Sequence, residues 1–249
     1  MRFKSKTIAI TGGTSGIGLG AAKAFAKEGG AVYVAGRSAT AFQTDMDQQN
    51  IHPIHADVTQ PDSLADFFET IKISEGKLDV LFANAGIAEF LPLDATDTAH
   101  FRRVMEVNFF GVLNTIKEAL PIMSAGSSII LTTSIANQMG EPNSAAYSAS
   151  KAAAKSLVST LSTELAPRSI RVNAVSPGPT ETPIFAKMGL EGEAFDQVKE
   201  AVSASIPMRR MAQVTDVVPS VLYLASEESQ FVMGQELVVD GGVTGCPTL

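Results

Sequence analysis

The stretch "TIAITGGTSGIGLGAAKAF", Thr7 to Phe25, predicts how the chain folds. Its first five residues, "TIAIT", are typical of a buried strand. A glycine-rich turn follows, and beyond it alanine and phenylalanine recur on one face of a helical pattern. A buried strand that leads through a glycine-rich turn into a helix is the opening unit of a parallel α/β sheet.

The same alternation of short apolar runs and helical patterns continues along the chain. Six more strands are predicted, at residues 31–36, 51–58, 78–86, 127–134, 170–178 and 235–242. Helices are predicted at residues 18–30, about 38–49, 61–76 with a cap at Asp62 or Ser63, 98–123, from about 143, and 215–226. Strands that are apolar on both faces belong to a sheet covered on both sides. We therefore expect an α/β fold, a Rossmann-type, doubly wound sheet of seven parallel strands, with residues 1–249 forming one domain.

Composition and charge exclude several classes of protein. Hydrophobic residues make up 45% of the chain and charged residues 18%, as in ordinary globular proteins. The net charge is −7 and no basic cluster exceeds Arg209-Arg210, which argues against a nucleic-acid partner. The single cysteine, Cys246, allows no internal disulfide, and the three histidines form no metal-ligand pattern. No apolar run is long enough for a signal peptide or a membrane span, so we expect a cytoplasmic protein with no membrane partner.

Two short motifs point to chemistry. In "TGGTSGIG", the spacing Gly12-x-x-x-Gly16-x-Gly18 between a strand and a helix suits a loop that holds a pyrophosphate at a helix N-terminus. A tight turn without a ligand is the alternative. In "YSASK", Tyr147 and Lys151 are four residues apart, so on a helix they lie on one face. An ammonium beside a phenol favours tyrosinate, and we expect it to lower the pKa of Tyr147.

These two motifs, in this order, resemble the short-chain dehydrogenase/reductase superfamily, and the resemblance extends over nearly the whole chain. Ala83 stands where many members carry a further asparagine. Further matching segments are "DV" at Asp57-Val58, "NAG" at Asn84–Gly86, Asn108 in "VNFFG", Ser134 in "LTTSIA", "SPGPTET" at 176–182 and "VDGG" at 239–242.

The resemblance implies a catalytic set of Asn108, Ser134, Tyr147 and Lys151. Tyr147 would be the acid/base that exchanges a proton with the substrate oxygen. Ser134 would hydrogen-bond that oxygen and stabilise the developing alkoxide. Lys151 would also bind the nicotinamide ribose, and Asn108 would hold a water that completes a proton relay. Enoyl reductases usually place the lysine farther from the tyrosine, so the interval of four favours a carbonyl/alcohol couple.

The resemblance also implies a nicotinamide dinucleotide, and the residues after the second strand indicate which one. NAD-preferring enzymes usually carry an acidic residue there. This chain has Arg37 and Ser38, which would bind a 2′-phosphate, so we expect NADP(H). An exposed arginine without that role is the alternative, because Ser15 stands where some NADP-dependent relatives have a basic residue. The full set of expected cofactor contacts is Gly12, Thr14, Ser15, Gly16, Ile17, Gly18, Arg37, Ser38, Asp57, Val58, Asn84, Ala85, Gly86, Tyr147, Lys151, Pro177, Gly178, Thr180 and Thr182.

Residues 180–213, the lid segment, are long, Met-rich and interrupted by glycines, which is typical of a mobile lid over a substrate. We expect one or two short helices there. The candidates for an apolar pocket wall are Phe185, Met188, Leu190, Phe195, Ile206 and Met208, although residues at helical spacing more often serve packing.

Three functions remain open. The first is an NADPH-dependent carbonyl reductase (ketoreductase) for a ketone of modest size; the second is a polyol, sugar or 3-oxoacyl-thioester oxidoreductase; the third is a catalytically silent NADP-sensing scaffold. The intact catalytic set argues against the third. The resemblance also implies a homo-oligomer, commonly a homotetramer, although the small-residue face of "AAYSASKAAAKSLVSTLSTELA" suits core packing equally well.

Overall fold

The fold is a single sheet of seven parallel strands in a computed structural model that describes residues 1–38, 50–183 and 192–246. The strands are β1 Thr7–Thr11, β2 Ala31–Gly36, β3 Ile51–His55, β4 Leu78–Ala83, β5 Met123–Thr132, β6 Arg171–Pro177 and β7 Glu236–Val239. Their order in the sheet is β3-β2-β1-β4-β5-β6-β7. This confirms the predicted fold class. The order reverses between β1 and β4, and the crevice outside the carboxyl ends of those strands is where doubly wound sheets bind ligands.

Helices connect the strands and cover both faces of the sheet. Those within the described residues are α1 Gly16–Lys27, α2 Pro61–Glu75, α3 Thr98–Met105, α4 Gly111–Ala119, α5 Ala145–Leu165, α6 Gly192–Ser205 and α7 Val214–Ala225. Helices α1 and α7 pack on each other over one face, and α2, α4 and α5 cover the other.

Alternation along each strand divides the core into two layers. On β1, Ala9 faces the α2, α4 and α5 side, whereas Ile8 and Ile10 face the α1 and α7 side. On β5, Ile129 and Ile130 divide in the same way. Because successive side chains of a strand point to opposite faces, a strand covered on both sides is apolar throughout. This is the physical origin of the unbroken apolar runs in the sequence.

Several predicted boundaries were wrong for local reasons. Strand β3 ends at His55, three residues before the predicted end, and the chain then turns through Asp57. Helix α2 has Gln60 at its N-cap and Pro61 in its first turn, while the hydroxyl of Ser63 accepts a hydrogen bond from the Asp57 amide instead of capping the helix. Helix α5 begins at Ala145 because Asn143 has φ of 65°, which a right-handed helix does not allow.

The helix predicted over residues 98–123 is divided. A π-helical segment, Glu106–Phe110, lies between α3 and α4 and contains the fully buried Asn108. A single π turn of this kind is frequent at functional sites. The last residue of the predicted helix, Met123, instead begins β5.

Two predicted features fall partly outside the described residues. The helix expected at 38–49 lies there except for Ser38, which is in a turn. Of the lid segment, residues 184–191 lie outside, and the described part contains α6. Where the structure describes the chain, no helix is both long and apolar enough to cross a membrane, and no cluster of three histidine, cysteine or acidic side chains is suited to a metal ion.

Candidate active site

Gly12 and Gly18 of the glycine loop, residues 12–18, have no space for a larger side chain. A Cβ on Gly18 would lie 2.2 Å from the carbonyl oxygen of Gly12, and one on Gly12 would lie 2.9 Å from the Cα of Ala85. Gly12 and Gly16 also have φ of 65° and 53°, in the left-handed region that favours glycine. The loop therefore draws β1, α1 and the end of β4 close together at the switch point of the sheet.

The N-terminus of α1 is open to an anion. Ser15 is the N-cap residue, yet its hydroxyl makes no capping hydrogen bond, and the first turn carries no acidic residue. The first amide groups of a helix have no partner within the helix, and its dipole places partial positive charge there. These are the requirements of a pyrophosphate site, so the residues present fit a dinucleotide.

Asn84 braces the glycine loop from the adjacent strand end. Its side-chain amide donates to the carbonyl oxygens of Thr11 and Gly12, both at 3.2 Å. Its amide oxygen accepts a hydrogen bond from the hydroxyl of Thr132 at 3.0 Å. Asn84 was predicted to line the cofactor groove. Asn84 lies at the carboxyl end of β4, and its side chain binds the protein, which makes it a support for the loop.

Ser134, Tyr147 and Lys151 come together beyond the carboxyl end of β5. Ser134 follows that strand and caps a short 3-10 helix, Ile135–Asn137, by accepting a hydrogen bond from the Ala136 amide at 3.2 Å. Tyr147 and Lys151 lie one turn apart on α5, with the Lys151 Nζ 5.8 Å from the centroid of the phenol ring. Ser134 lies near enough to Tyr147 for its hydroxyl to favour the tyrosinate by hydrogen bonding, which lowers the pKa of the phenol.

The expected direction of the tyrosine pKa is wrong for this structure. Burial raises the pKa of Tyr147, the hydrogen bond from Ser134 opposes that rise, and the charge of Glu141 adds to it. Lys151 is only 4% exposed, and its burial lowers the pKa of its amine from 10.5 to about 8. Removal from water disfavours the charged form of both groups, and this outweighs the expected attraction between them.

Asn108 holds the segment beneath Lys151. Its side chain accepts from the amide of Ile87 at 2.8 Å and donates to the carbonyl oxygen of Ile87 at 2.9 Å and to the Ser150 hydroxyl at 3.0 Å. A side chain on Gly86 would meet both the Asn108 amide oxygen, at 3.2 Å, and the Lys151 Nζ, at 3.5 Å. Most of the hydrogen-bonding capacity of the Asn108 amide is thus used on the protein, which leaves little of it for the expected water.

The residues predicted to contact the adenosine end follow β2 and β3. Arg37 and Ser38 are exposed at the end of β2, where a Cβ on Gly36 would lie 2.8 Å from Thr14. In the part of the chain that the structure describes, no carboxylate pairs with Arg37. One oxygen of Asp57 binds the amide and hydroxyl of Thr59 at 2.9 and 2.8 Å.

The "SPGPTET" segment divides into structural and exposed residues. Gly178 packs on β7, where an added Cβ would lie 2.8 Å from the Cα of Asp240. The hydroxyl of Thr180 is buried and donates to the carbonyl oxygen of Gly178 at 2.9 Å, so it does not face a ligand. Thr182, in contrast, reaches the glycine loop, 3.4 Å from where a Cβ on Gly16 would stand. Of the two predicted threonines in this segment, Thr182 and not Thr180 lies where it could contact a phosphate.

The predicted apolar wall is only partly described. Phe185, Met188 and Leu190 lie outside the described residues. Ile206 is 2% exposed and packs near Gly241, so it belongs to the protein interior.

Two residues beside Tyr147 were missed by the sequence analysis. The ring of Phe90 lies 5.5 Å from that of Tyr147, and the loop that carries it is tied to α3 by an ion pair of 2.6 Å between Glu89 and Arg103. Glu141 is exposed as a whole residue, yet burial raises the pKa of its carboxyl group. Both stand in irregular segments, where no spacing could have related them to the tyrosine.

Comparison with known proteins gives matches along the whole chain. A family model described as enoyl-(acyl carrier protein) reductase matches residues 12–244. A cis-4-hydroxycyclohexanecarboxylate dehydrogenase from Sinomonas cyclohexanicum is 37% identical over 250 residues, covering 97% of this chain and 98% of the relative. The 3-oxoacyl-(acyl-carrier-protein) reductase of Thermotoga maritima is 33% identical over 250 residues, covering 98% and 99%.

A solved structure shows the same fold. It is a short-chain type dehydrogenase/reductase from Mycobacterium marinum, which superposes with a TM-score of 0.90 at 32% sequence identity. The alignment covers 98% of this chain and 97% of that one. The structural match and the sequence matches therefore cover nearly the same part of this chain.

The buried Lys151 generates a prediction about stability and pH. Because its pKa is about 8 in the folded protein and 10.5 as the ordinary value, its charge destabilises the fold fully below pH 8 and not at all above about 10.5. Replacing Lys151 with Met removes this destabilising effect of the lysine charge. We expect the free energy of unfolding of Lys151→Met, relative to the wild type, to fall by about 3 kcal/mol as the pH rises through that window.

Urea denaturation of both proteins at several pH values between 7 and 10 measures the difference. The lost hydrogen bond from Lys151 to the carbonyl oxygen of Thr132, 2.9 Å long, adds a constant cost to the variant and leaves the slope unchanged. A difference that does not vary with pH would contradict a desolvated lysine.

Proposed function

The chain belongs to the short-chain dehydrogenase/reductase family, and from this premise we propose that it is an NADPH-dependent reductase of an uncharged ketone of modest size. Members of the family use a nicotinamide cofactor, and this chain is an oxidoreductase of that family that acts on alcohol or ketone substrates. The choice of NADPH, of a ketone and of the reductive direction is the proposal. The observation that carries it is that Ser134, Tyr147 and the buried Lys151 come together beyond the carboxyl end of β5.

The roles of the site residues follow from their positions. NADPH, when bound, would supply a hydride to the carbonyl carbon. Tyr147 gives its phenolic proton to the carbonyl oxygen as the general acid of the reaction. Ser134 donates a hydrogen bond to the same oxygen as negative charge develops there.

Lys151 favours the tyrosinate that remains after proton transfer. Its amine has a pKa of about 8, so at neutral pH it is mostly an ammonium, whose positive charge stabilises a tyrosinate. Asn108 binds Ile87 and Ser150 and fixes the backbone next to the lysine. The same groups acting in reverse order oxidise a secondary alcohol, so the reaction is reversible in principle.

The case for NADP(H) rests on Arg37 and Ser38. Both residues are exposed and directly follow Gly36, where an added Cβ would lie 2.8 Å from Thr14 of the glycine loop. A guanidinium and a hydroxyl at this position suit a 2′-phosphate, and the acidic residue that would repel one is missing from both positions.

The case for an uncharged substrate rests on Glu141. Its negative charge raises the pKa of Tyr147. The substrate oxygen must lie next to the phenol, so it would experience the same negative charge. An anionic substrate would be repelled there. The cis-4-hydroxycyclohexanecarboxylate dehydrogenase relative is named for an anion, so we propose that this chain differs from it in substrate charge.

A second candidate is reduction of a 3-oxoacyl thioester, because the Thermotoga maritima relative carries that name. The family model is described as an enoyl reductase, which would imply a carbon–carbon double bond. The interval of four between Tyr147 and Lys151, with Ser134 beside the phenol, supports a carbonyl group instead. Both candidates use the same proton donor, so substrate tests must separate them.

Substrate panels test the reaction. We expect NADPH oxidation with cyclic and branched-chain ketones, about 10-fold or more slower turnover of ketones that carry a carboxylate, and none with enoyl thioesters. Absorbance of NADPH measures each rate. Faster turnover of 3-oxoacyl thioesters than of any ketone would favour the second candidate, and Glu141→Gln should restore activity toward the carboxylates.

Loss of the phenol tests the proton donor. We expect Tyr147→Phe to lower kcat by about 10³-fold while the affinity for NADPH changes little, since only the proton transfer is removed. Steady-state kinetics and fluorescence titration measure the two quantities. Tyr223→Phe, the same change on α7, is the control and should keep full activity. Turnover by Tyr147→Phe near the wild-type rate would show that another group gives the proton.

Reversing the charge at residue 37 tests the cofactor. We expect Arg37→Asp to weaken NADPH binding by about 10²-fold and to improve NADH binding, because a carboxylate repels the 2′-phosphate and can bind the ribose hydroxyls. Fluorescence titration with each nucleotide measures the affinities. Arg102→Asp, the same change on the exposed side of α3, should leave them unaltered. Equal affinity of the wild type for both nucleotides would contradict the NADP(H) preference.

A further inference from the structure

Glu236 is a buried carboxylate that the reaction described above does not use. It is the first residue of β7, and its side chain is only 9% exposed. A carboxylate removed from water destabilises a protein strongly unless it is paired and hydrogen-bonded. The partners of Glu236 should therefore indicate why the chain keeps a charge at this place.

Those partners come from two elements of the candidate active site. One oxygen, Oε1, accepts hydrogen bonds from the hydroxyl of Thr133 and from the side-chain amide of Asn137, both at 2.6 Å. The other oxygen, Oε2, lies 2.7 Å from the Nζ of Lys155. Thr133 directly precedes Ser134, and Asn137 ends the short helix that Ser134 caps. The carboxylate thus binds the serine turn on both sides of the serine.

Lys155 joins the Glu236 carboxylate to α5. Tyr147, Lys151 and Lys155 follow one another at intervals of four, so they lie along one face of that helix. Asn137 depends on the Glu236 carboxylate. That carboxylate accepts a hydrogen bond from the amide nitrogen of Asn137, whereas the amide oxygen of Asn137 is buried without a hydrogen-bond partner in the described part of the chain. One side chain on β7 therefore joins the turn that holds the serine to the helix that holds the tyrosine.

We propose that Glu236 is a positioning residue that sets the separation of the Ser134 hydroxyl and the Tyr147 phenol. This inference rests on the proposed function, since it assigns Glu236 to the same proton transfer. Ser134 and Tyr147 belong to different elements, and for both side chains to reach one substrate oxygen the turn after β5 and the start of α5 must be held at a fixed distance. Glu236, Thr133, Asn137 and Lys155 form a connection that does this from behind the site.

Kinetics of variants at Glu236 test the proposal. We expect Glu236→Ala to lower kcat about 10-fold with little change in the KM for NADPH, because the hydrogen bonds and the ion pair of Glu236 join it to the serine turn and to Lys155 and not to the glycine loop. Glu236→Gln keeps the side-chain volume and loses the ion pair, and its kcat should fall between those of Glu236→Ala and the wild type. If Glu236→Ala does not fold, Glu236→Gln carries the test alone, and an unchanged kcat overturns the proposal.

A double-mutant cycle separates positioning from general stability. In a Ser134→Ala background, Glu236→Ala should lower kcat by less than about 2-fold, since no serine remains to be positioned. The matched control is Asp79→Ala, which also removes a mostly buried carboxylate bound to two lysines, Lys6 and Lys77. Asp79→Ala should lower the melting temperature and leave kcat within about 2-fold. A 10-fold loss that persists without Ser134 would assign Glu236 a purely structural role.

A readout without turnover distinguishes this proposal from the proposed function. The hydrogen bond to Ser134 lowers the pKa of Tyr147, so Glu236→Ala and Ser134→Ala should both raise it. Ultraviolet difference titration, with Tyr147→Phe subtracted, measures that pKa. A rise in Ser134→Ala without a rise in Glu236→Ala overturns the positioning role. A wild-type protein that turns over none of the panel overturns the proposed function and leaves this titration to decide the role of Glu236.

Discussion

The site depends on the hydrogen bonds made by one side-chain amide, that of Asn84. It binds the carbonyl oxygens of Thr11 and Gly12 on one side and the Thr132 hydroxyl on the other. The carbonyl oxygen of Thr132 accepts a hydrogen bond from Lys151 at 2.9 Å. The glycine loop, β5 and the lysine of α5 are therefore connected through two residues at the carboxyl edge of the sheet. Parallel strands end at the same edge, which is why residues far apart in the sequence can meet there.

Burial sets the protonation of the site as much as specific partners do. Tyr147 and Lys151 are withdrawn from water together, so the pKa of the phenol rises and the pKa of the amine falls. Their pKa values, ordinarily 10.0 and 10.5, thus move apart. Both shifts favour the uncharged form of each group relative to its ordinary state in water.

The support of the site extends beyond the residues that would contact a substrate. Asn108 holds the backbone of Ile87 from the π-helical segment, and Glu236 holds the turn that contains Ser134. Neither side chain is replaceable by an apolar one without leaving a buried polar group unpaired. A reaction that requires a serine, a tyrosine and a lysine at fixed distances explains why polar side chains are buried around them.

The sequence by itself determined the order of strands and helices, the parallel sheet, the glycine loop and the pairing of Tyr147 with Lys151. Those features arise from local patterns: period-two and helical spacing of apolar residues, glycines at positive φ, and two residues one helical turn apart. Only the tertiary structure decided the direction of the tyrosine pKa, the bracing role of Asn84, the inward turn of Thr180, and the places of Phe90, Glu141 and Glu236. Each of these depends on which segments meet in space and on how much water they exclude, and no spacing along one chain encodes either quantity.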